Sequence, residues 1–275
     1  MKRALAFSLV ELLVVVGMIA VLVGIIAPSL ARAKFMTRCS ACAANMNGIG
    51  RGLHLYATDN RGSFPTKGFG QSTTRYDVIG DDLTTMSPTG NAINSNSRNL
   101  FLLVTRGLVD TRIFVCPATN DQPAAVIDTV TGDKYYDFNV VDINTGYRNK
   151  CSYSYHLMFG DRASQTGYPI TTTSDPSMVV LADKNPFIVY TGAPAAGTGC
   201  YMNTVLAVNS TSNSLNHDRE GQNILFVDGH VQYVTEPLGG QSKDNFYTAV
   251  SGTVGVLNSL GTDYPDSDTD AFLVP

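Results

Sequence analysis

Two short stretches of this 275-residue chain carry residue types that do chemistry at protein sites. In HDREGQNILFVDGHVQYV, His217 to Val234, two imidazoles (His217 and His230) and the Asp228 carboxylate lie close in sequence. These are ligand types that suit zinc. Asp228-Gly229 is also the pair favoured in a two-residue type I′ turn, since Gly229 accepts positive φ freely and Asp228 tolerates it. On that reading His217, Asp228, Gly229 and His230 belong to a structural hairpin with strands over 222–227 and 230–234. No nucleophile stands beside them, so the stretch supplies no catalytic residue and the chain reads as a non-enzyme. The second stretch, Asp263-Tyr-Pro-Asp266-Ser-Asp268-Thr-Asp270, alternates carboxylates and hydroxyls as oxygen-rich calcium loops do. Asp266-x-Asp268-x-Asp270 matches the opening of an EF-hand loop, but Ala271 stands where that loop needs Gly and no bidentate Glu follows. Calcium is the cofactor these residues suggest, with backbone carbonyls completing the site; a solvated acidic loop is the alternative.

Sulfur and one isolated carboxylate complete the inventory. Cys39 and Cys42 form a CxxC at helical spacing, without the strand-to-helix context of a redox motif or the second ligand pair of a zinc ribbon. They read as structural cysteines that tie a helix to the rest of the protein. Five cysteines (Cys39, Cys42, Cys116, Cys151 and Cys200) leave at least one thiol unpaired and do not fix a pairing. Glu11 lies inside the apolar run FSLVELLVVVGMIAVLVGIIA, Phe7 to Ala27. A carboxylate there costs about 2.5–3.5 kcal/mol unless partnered, and no Lys, Arg or His lies within the run.

The elements around these residues follow from composition and periodicity. With 44% hydrophobic and 15% charged residues the chain has enough apolar material for a sizeable core, and a net charge of −4 argues against nucleic acid as a partner. The run from Phe7 to Ala27 is long enough to span a bilayer, too long for a removable signal peptide, and preceded by Lys2 and Arg3. Those two cations would keep the N-terminus in the cytoplasm. Beyond Pro28, Leu30, Ala33, Ala41, Ala44, Ile49, Leu53 and Tyr56 recur at roughly helical intervals, so the helix continues to about Asp59-Asn60-Arg61-Gly62. Gly48, Gly50 and Gly52 count against helix propensity there. The segment 68–99 reads as a long polar loop, 100–104 as a short helix, and 151–156, 178–182 and 187–190 as strands. The fold class is α+β: a long N-terminal helix, transmembrane then amphipathic, packed on a globular head with an antiparallel β-sheet. The domain reading is a leader at 1–6, the helix at 7–59 with 7–27 in the membrane, and an extracytoplasmic head at 60–275.

A basic leader, Ala6, and then Phe7-Ser8-Leu9-Val10-Glu11-Leu12-Leu13 together resemble the N-terminal signal of type IV pilins and type II secretion pseudopilins. The family usually has Gly where this chain has Ala6. The resemblance implies a prepilin peptidase that cuts between Ala6 and Phe7 and methylates the new amine. It implies that Glu11 pairs with the Phe7 amine of a neighbouring subunit, and that Pro28 loosens the helix. The hairpin segment resembles the His-x-Asp-Gly signature of a pilin-like group abundant in planctomycete- and verrucomicrobia-type bacteria. Ten residues separate His217 from Asp228, one more than that group usually has. Cys42 to Met46 and the run Asp270 to Pro275 are similar to that group as well, so the resemblance covers about 1–65, 214–234 and the last residues. Major pseudopilins carry a calcium-binding loop near their C-terminus, though without this motif.

The function this implies is a filament subunit of a type II secretion pseudopilus or a type IV pilus. Its partners would be prepilin peptidase, other pilin or pseudopilin subunits, an inner-membrane assembly platform and membrane lipid. Its place would be the bacterial cytoplasmic membrane, single-pass, before assembly. The rival from another class is a monomeric, membrane-tethered binding protein with an uncut helix. A metal-dependent envelope enzyme using His217 and His230 is a third.

Overall fold

The protein is described by a computed structural model covering residues 8–66, 96–127, 138, 150–156, 158, 169–186, 213–239, 245–247, 271 and 273–274. Ala6, Phe7, the expected strand at 187–190, Cys200 and the carboxylates Asp263, Asp266, Asp268 and Asp270 lie outside the described residues, as does most of the expected polar loop. The chain divides into two compact units, Met1–Arg38 and Cys39–Pro275, and helix α1 (Leu9–Asp59) has residues in both.

Helix α1 starts on Ser8, whose backbone N–H donates to the Glu11 carboxylate at 2.8 Å. Ser-x-x-Glu is the spacing of a capping box, and this is the half in which the third helical residue reaches back to the cap. Pro28 has no N–H for the Gly24 carbonyl, yet the helix continues through it. The helix ends where Arg61 (φ 57) and Gly62 (φ 82) turn left-handed and the Gly62 N–H closes on the Ala57 carbonyl at 2.8 Å. In the first unit every described residue through Lys34 is exposed, including the whole apolar run from Leu9 to Ile26. That helix is long and apolar enough to cross a membrane.

In the second unit α1 buries Cys42, Met46, Ile49, Leu53 and Ala57, a stripe at helical spacing. The face differs from the sequence expectation: Ile49 and Leu53 belong to it, whereas Leu30, Ala33 and Ala44 are exposed. Its glycines serve close packing. A Cβ at Gly52 would lie 2.6 Å from a Val109 methyl, and one at Gly50 would lie 3.0 Å from Leu225. Helix α2 (Ser97–Thr105) adds Leu100, Phe101, Leu103 and Val104 to the same core. The expected loop therefore stops early: Ser97, Arg98 and Asn99 open α2 and are buried.

Strands β1 (Tyr153–His156), β2 (Val179–Asp183), β3 (Gln222–Phe226), β4 (Val231–Val234) and β5 (Leu273–Val274) form one antiparallel sheet in the order β4-β3-β2-β1-β5. The helices and Phe114 cover one face; Phe246, Tyr247 and Ala271 cover the other. Burial on both sides explains why β1, β2 and β3 are buried along their whole length and lack the alternation of a half-exposed strand. The β2–β3 register shifts between Val179 and Leu181. Val180 and Leu181 consequently both join the helix-side core, Ala182 joins the opposite one, and Asp183 returns to the helix side.

The β3–β4 connection forms at the expected place with a different turn. The Gly229 N–H donates to the Phe226 carbonyl and the Phe226 N–H to the His230 carbonyl, each at 3.0 Å. Only Gly229 has positive φ (+89), and Asp228 does not. The loop is therefore the three residues Val227, Asp228 and Gly229, with glycine in the left-handed position, not a two-residue type I′ turn.

Candidate functional site

Sheet register builds a polar row on the helix-facing side. Tyr153 pairs with Asp183, Asn223 pairs with Tyr233, and the Asn223 backbone N–H donates to Asp183 Oδ2 at 2.7 Å. Above this row α1 brings Cys39 and Cys42. Cys116 arrives just after a short 3-10 turn (Thr111–Phe114) whose N-cap Asp110 accepts the Arg112 N–H at 2.8 Å. His217 arrives on a second such turn (Leu215–His217), capped by Ser214 and closed by the left-handed residues Asp218 and Arg219.

These segments converge on one buried point. The ligand atoms of Cys42, Cys116, Asp183 and His217 all lie within 4.8 Å of one another, and among the described residues they are the one such group of metal-ligating side chains. Cys42 Sγ donates to Asp183 Oδ1 at 3.2 Å and lies 3.5 Å from the Tyr153 hydroxyl. His217 Nε2 is 3.2 Å from Asp183 Oδ2 and 3.7 Å from Cys116 Sγ. The surroundings fix each group. The Asn216 side-chain amide donates to Asp183 Oδ1 at 2.9 Å, and the Ala118 N–H donates to Cys116 Sγ at 3.4 Å. Cys39 Sγ meets the other imidazole nitrogen, Nδ1, at 3.5 Å.

The electrostatics follow from packing these groups together. Burial pushes the Cys42 thiol well above its ordinary value, with the neighbouring Cys116 and Asp183 adding to it. The hydrogen bond from Cys42 draws Cys116 below its ordinary value against the effect of burial. Burial would lower His217, but its bonds to Asp183 and Cys116 overcome that and lift it to about 10.

Thiol, imidazole and carboxylate also suggest a nucleophilic triad, and Cys116 does not stand where its nucleophile would. A triad needs the nucleophile on one imidazole nitrogen and the orienting acid on the other. Here Cys116 and Asp183 both approach Nε2, while Cys39 stands across the ring at Nδ1, so of the two thiols beside His217 only Cys39 lies opposite the acid. Convergence on one nitrogen is the arrangement of ligands around a shared centre.

The residues marked in sequence separate into different surroundings. His217 belongs to the buried cluster and not to the hairpin. Asp228 and His230 stay at the exposed turn, where the His230 ring bonds Asp228 Oδ1 at 2.5 Å and stacks on Phe226 with centroids 4.1 Å apart. Gly229 packs near the His54 ring of α1. Asp228, Gly229 and His230 lie in the β3–β4 connection, and His217 lies outside the hairpin. Among the described residues Cys39, Cys42 and Cys116 are free thiols. Sequence reading missed Asp183 altogether; its one signal was an acid closing the apolar run Met178–Ala182. In the other unit, Glu11 has a partner within its own chain, the Ser8 N–H. No family model matches the chain, and no curated protein or solved structure matches it.

Proposed function

We propose that this protein is a pilin-like structural subunit that is cut between Ala6 and Phe7 and joins a type II secretion pseudopilus or a type IV pilus-like filament. The observation that carries this reading is the apolar surface of α1: from Leu9 to Ile26 the helix is apolar on every side apart from Glu11, and among the described residues of the Met1–Arg38 unit none covers that surface. A surface of that kind must sit in lipid or against other copies. Filament assembly exchanges one for the other without wetting it, since apolar helices gain by packing closely together. Prepilin peptidase would expose the Phe7 amine, and Glu11 of one copy would take that amine from the next. Pro28 would let the helix adjust on leaving the membrane.

A second reading, a monomeric membrane-tethered binding protein, draws support from the Ser8–Glu11 hydrogen bond, which gives Glu11 a role without any neighbour. The two separate on one measurement. Mass spectrometry of the N-terminal peptide from membrane and sheared-filament fractions is expected to find a chain beginning with methylated Phe7. A chain beginning at Met1 in both fractions would overturn the filament reading in favour of the tether. Under the filament reading Glu11→Ala inserts normally yet yields no sheared filaments.

A further inference from the structure

We propose that Cys42, Cys116, Asp183 and His217 form a structural zinc site that fastens helix α1 to the sheet. It concerns the Cys39–Pro275 unit alone and does not depend on whether the protein assembles into a filament.

The ligand set is the first argument. Two thiols, one imidazole and one carboxylate are a soft-to-borderline combination that selects zinc over magnesium or calcium. Geometry is the second. Zn–S bonds of about 2.3 Å and Zn–N or Zn–O bonds of about 2.0–2.2 Å in a tetrahedron place neighbouring ligand atoms about 3.3–3.8 Å apart. Cys42 Sγ to Asp183 Oδ1 is 3.2 Å, His217 Nε2 to Asp183 Oδ2 is 3.2 Å, and Cys116 Sγ to His217 Nε2 is 3.7 Å. Each is close to an edge of such a tetrahedron, with the carboxylate approached through both of its oxygens; the four ligand atoms span up to 4.8 Å, so they draw together on binding.

The outer contacts are the third. A histidine that ligates through Nε2 needs its other nitrogen held by an acceptor, and Cys39 Sγ stands 3.5 Å from Nδ1. A ligating carboxylate needs donors on its free lone pairs, and Asn216 Nδ2 and the Asn223 N–H supply them. The Ala118 N–H toward Cys116 Sγ and the Tyr153 hydroxyl beside Cys42 Sγ do the same for sulfur. All four ligands come from the protein and are buried, so the site is closed, as structural zinc sites are. On binding, both cysteines ligate as thiolates and the His217 imidazolium gives up its Nε2 proton, so the protons held on the thiols and on Nε2 go to solvent as the freed Nε2 lone pair takes up the metal.

A disulfide between Cys42 and Cys116 is the competing fate of the two thiols, and it gives the convergence of His217 and Asp183 no role. The test uses the full chain extracted in detergent. Elemental analysis is expected to find about one zinc per chain, and X-ray absorption at the zinc edge a shell of two sulfurs and two nitrogen or oxygen atoms. Cys116→Ser is expected to lower zinc occupancy at least about tenfold, with Cys151→Ser unchanged. If Cys116→Ser does not fold, the wild-type absorption shell decides alone. A metal-free protein, whether with free thiols or with a Cys42–Cys116 disulfide in the peptide map, overturns the proposal. So does a zinc shell of four sulfurs or of none.

Discussion

The two stretches of helix α1 obey different rules although they belong to one continuous helix. From Leu9 to Ile26 its apolar residues run round every side, and its glycines, Gly17 and Gly24, have nothing within 4 Å of where a Cβ would stand. From Cys42 to Ala57 its apolar residues occupy a stripe, and Gly48, Gly50 and Gly52 lie against side chains of the same unit. The first pattern is not satisfied by the described residues of its own unit. The second is satisfied within it, by the sheet and by α2. Secondary structure alone does not distinguish them; the distribution of apolar and small residues around the axis does.

If that division holds, damage to the polar cluster should unfold the Cys39–Pro275 unit and leave the apolar stretch helical. Asp183→Ala is the most severe single change. It removes the acceptor for the Asn223 N–H and the Asn216 amide, and it takes the carboxylate away from His217 and Cys42. Breaking a buried, bonded charge in this way costs about 3–5 kcal/mol. Near-ultraviolet circular dichroism, which reads the packed tyrosines, should be lost at lower denaturant, while in detergent a residual helical far-ultraviolet signal persists. Loss of both signals together would show that the two stretches are not independent.

Acid should attack the same unit by another route. His156 is fully buried on β1, neither ring nitrogen has a partner among the described residues, and burial pushes it down to about 3. In the unfolded chain the ring titrates near 6.5, so as pH falls the unfolded state takes up the proton first. Stability is therefore full above about pH 6.5 and declines toward pH 3, by about 1.4 kcal/mol per pH unit and about 3 kcal/mol by pH 4. His156→Phe fills the same apolar place without a titrating group. Denaturation midpoints measured from pH 7 to pH 4 should fall less steeply in the variant than in the native protein. Equal slopes would mean that His156 is charged or partnered in the folded state.

Much of this architecture can be read from sequence, and the exceptions have physical causes. The helix extent was legible because an uninterrupted apolar run and the Asn60-Arg61-Gly62 stop mark its two ends. Strands β1 to β4 were legible because β-branched and aromatic runs flanked by turn residues have few other uses, whereas the two-residue β5 is too short to leave a pattern. The hairpin loop was misjudged because Asp-Gly fits both a two-residue turn and a three-residue loop with glycine in the left-handed position. The helix face was misjudged because alanines were counted as core, whereas Cys42 and Met46, not Ala44, face inward. The cluster itself was illegible. Its members come from four separate segments, no spacing links them, and Asp183 faces the helix only because the register shift between Val179 and Leu181 changes the strand's phase. His217 was noticed, but beside the wrong partners, because sequence proximity pointed to Asp228 and His230.

The smallest effects test the comparison most sharply, because they apply one substitution to both stretches. A methyl group added at Gly52 meets Val109 at 2.6 Å, too close without movement, while at Gly17 and Gly24 it meets nothing. Gly52→Ala should therefore lose about 1–3 kcal/mol to overpacking, even though alanine favours the helix. Gly17→Ala and Gly24→Ala in detergent-solubilised monomer should leave the denaturation midpoint of the Cys39–Pro275 unit unchanged and raise helicity, by at most about 1 kcal/mol per site. The sign of the difference matters more than its size. Propensity is the same at all three positions, so opposite signs can come only from what surrounds the helix. If Gly17→Ala and Gly24→Ala also lower the yield of assembled filaments while the monomer is unaffected, these glycines make their close contacts with another copy. The apolar stretch would then use glycine in the same way as the packed stretch, with a neighbouring subunit in the place that Val109 holds at Gly52.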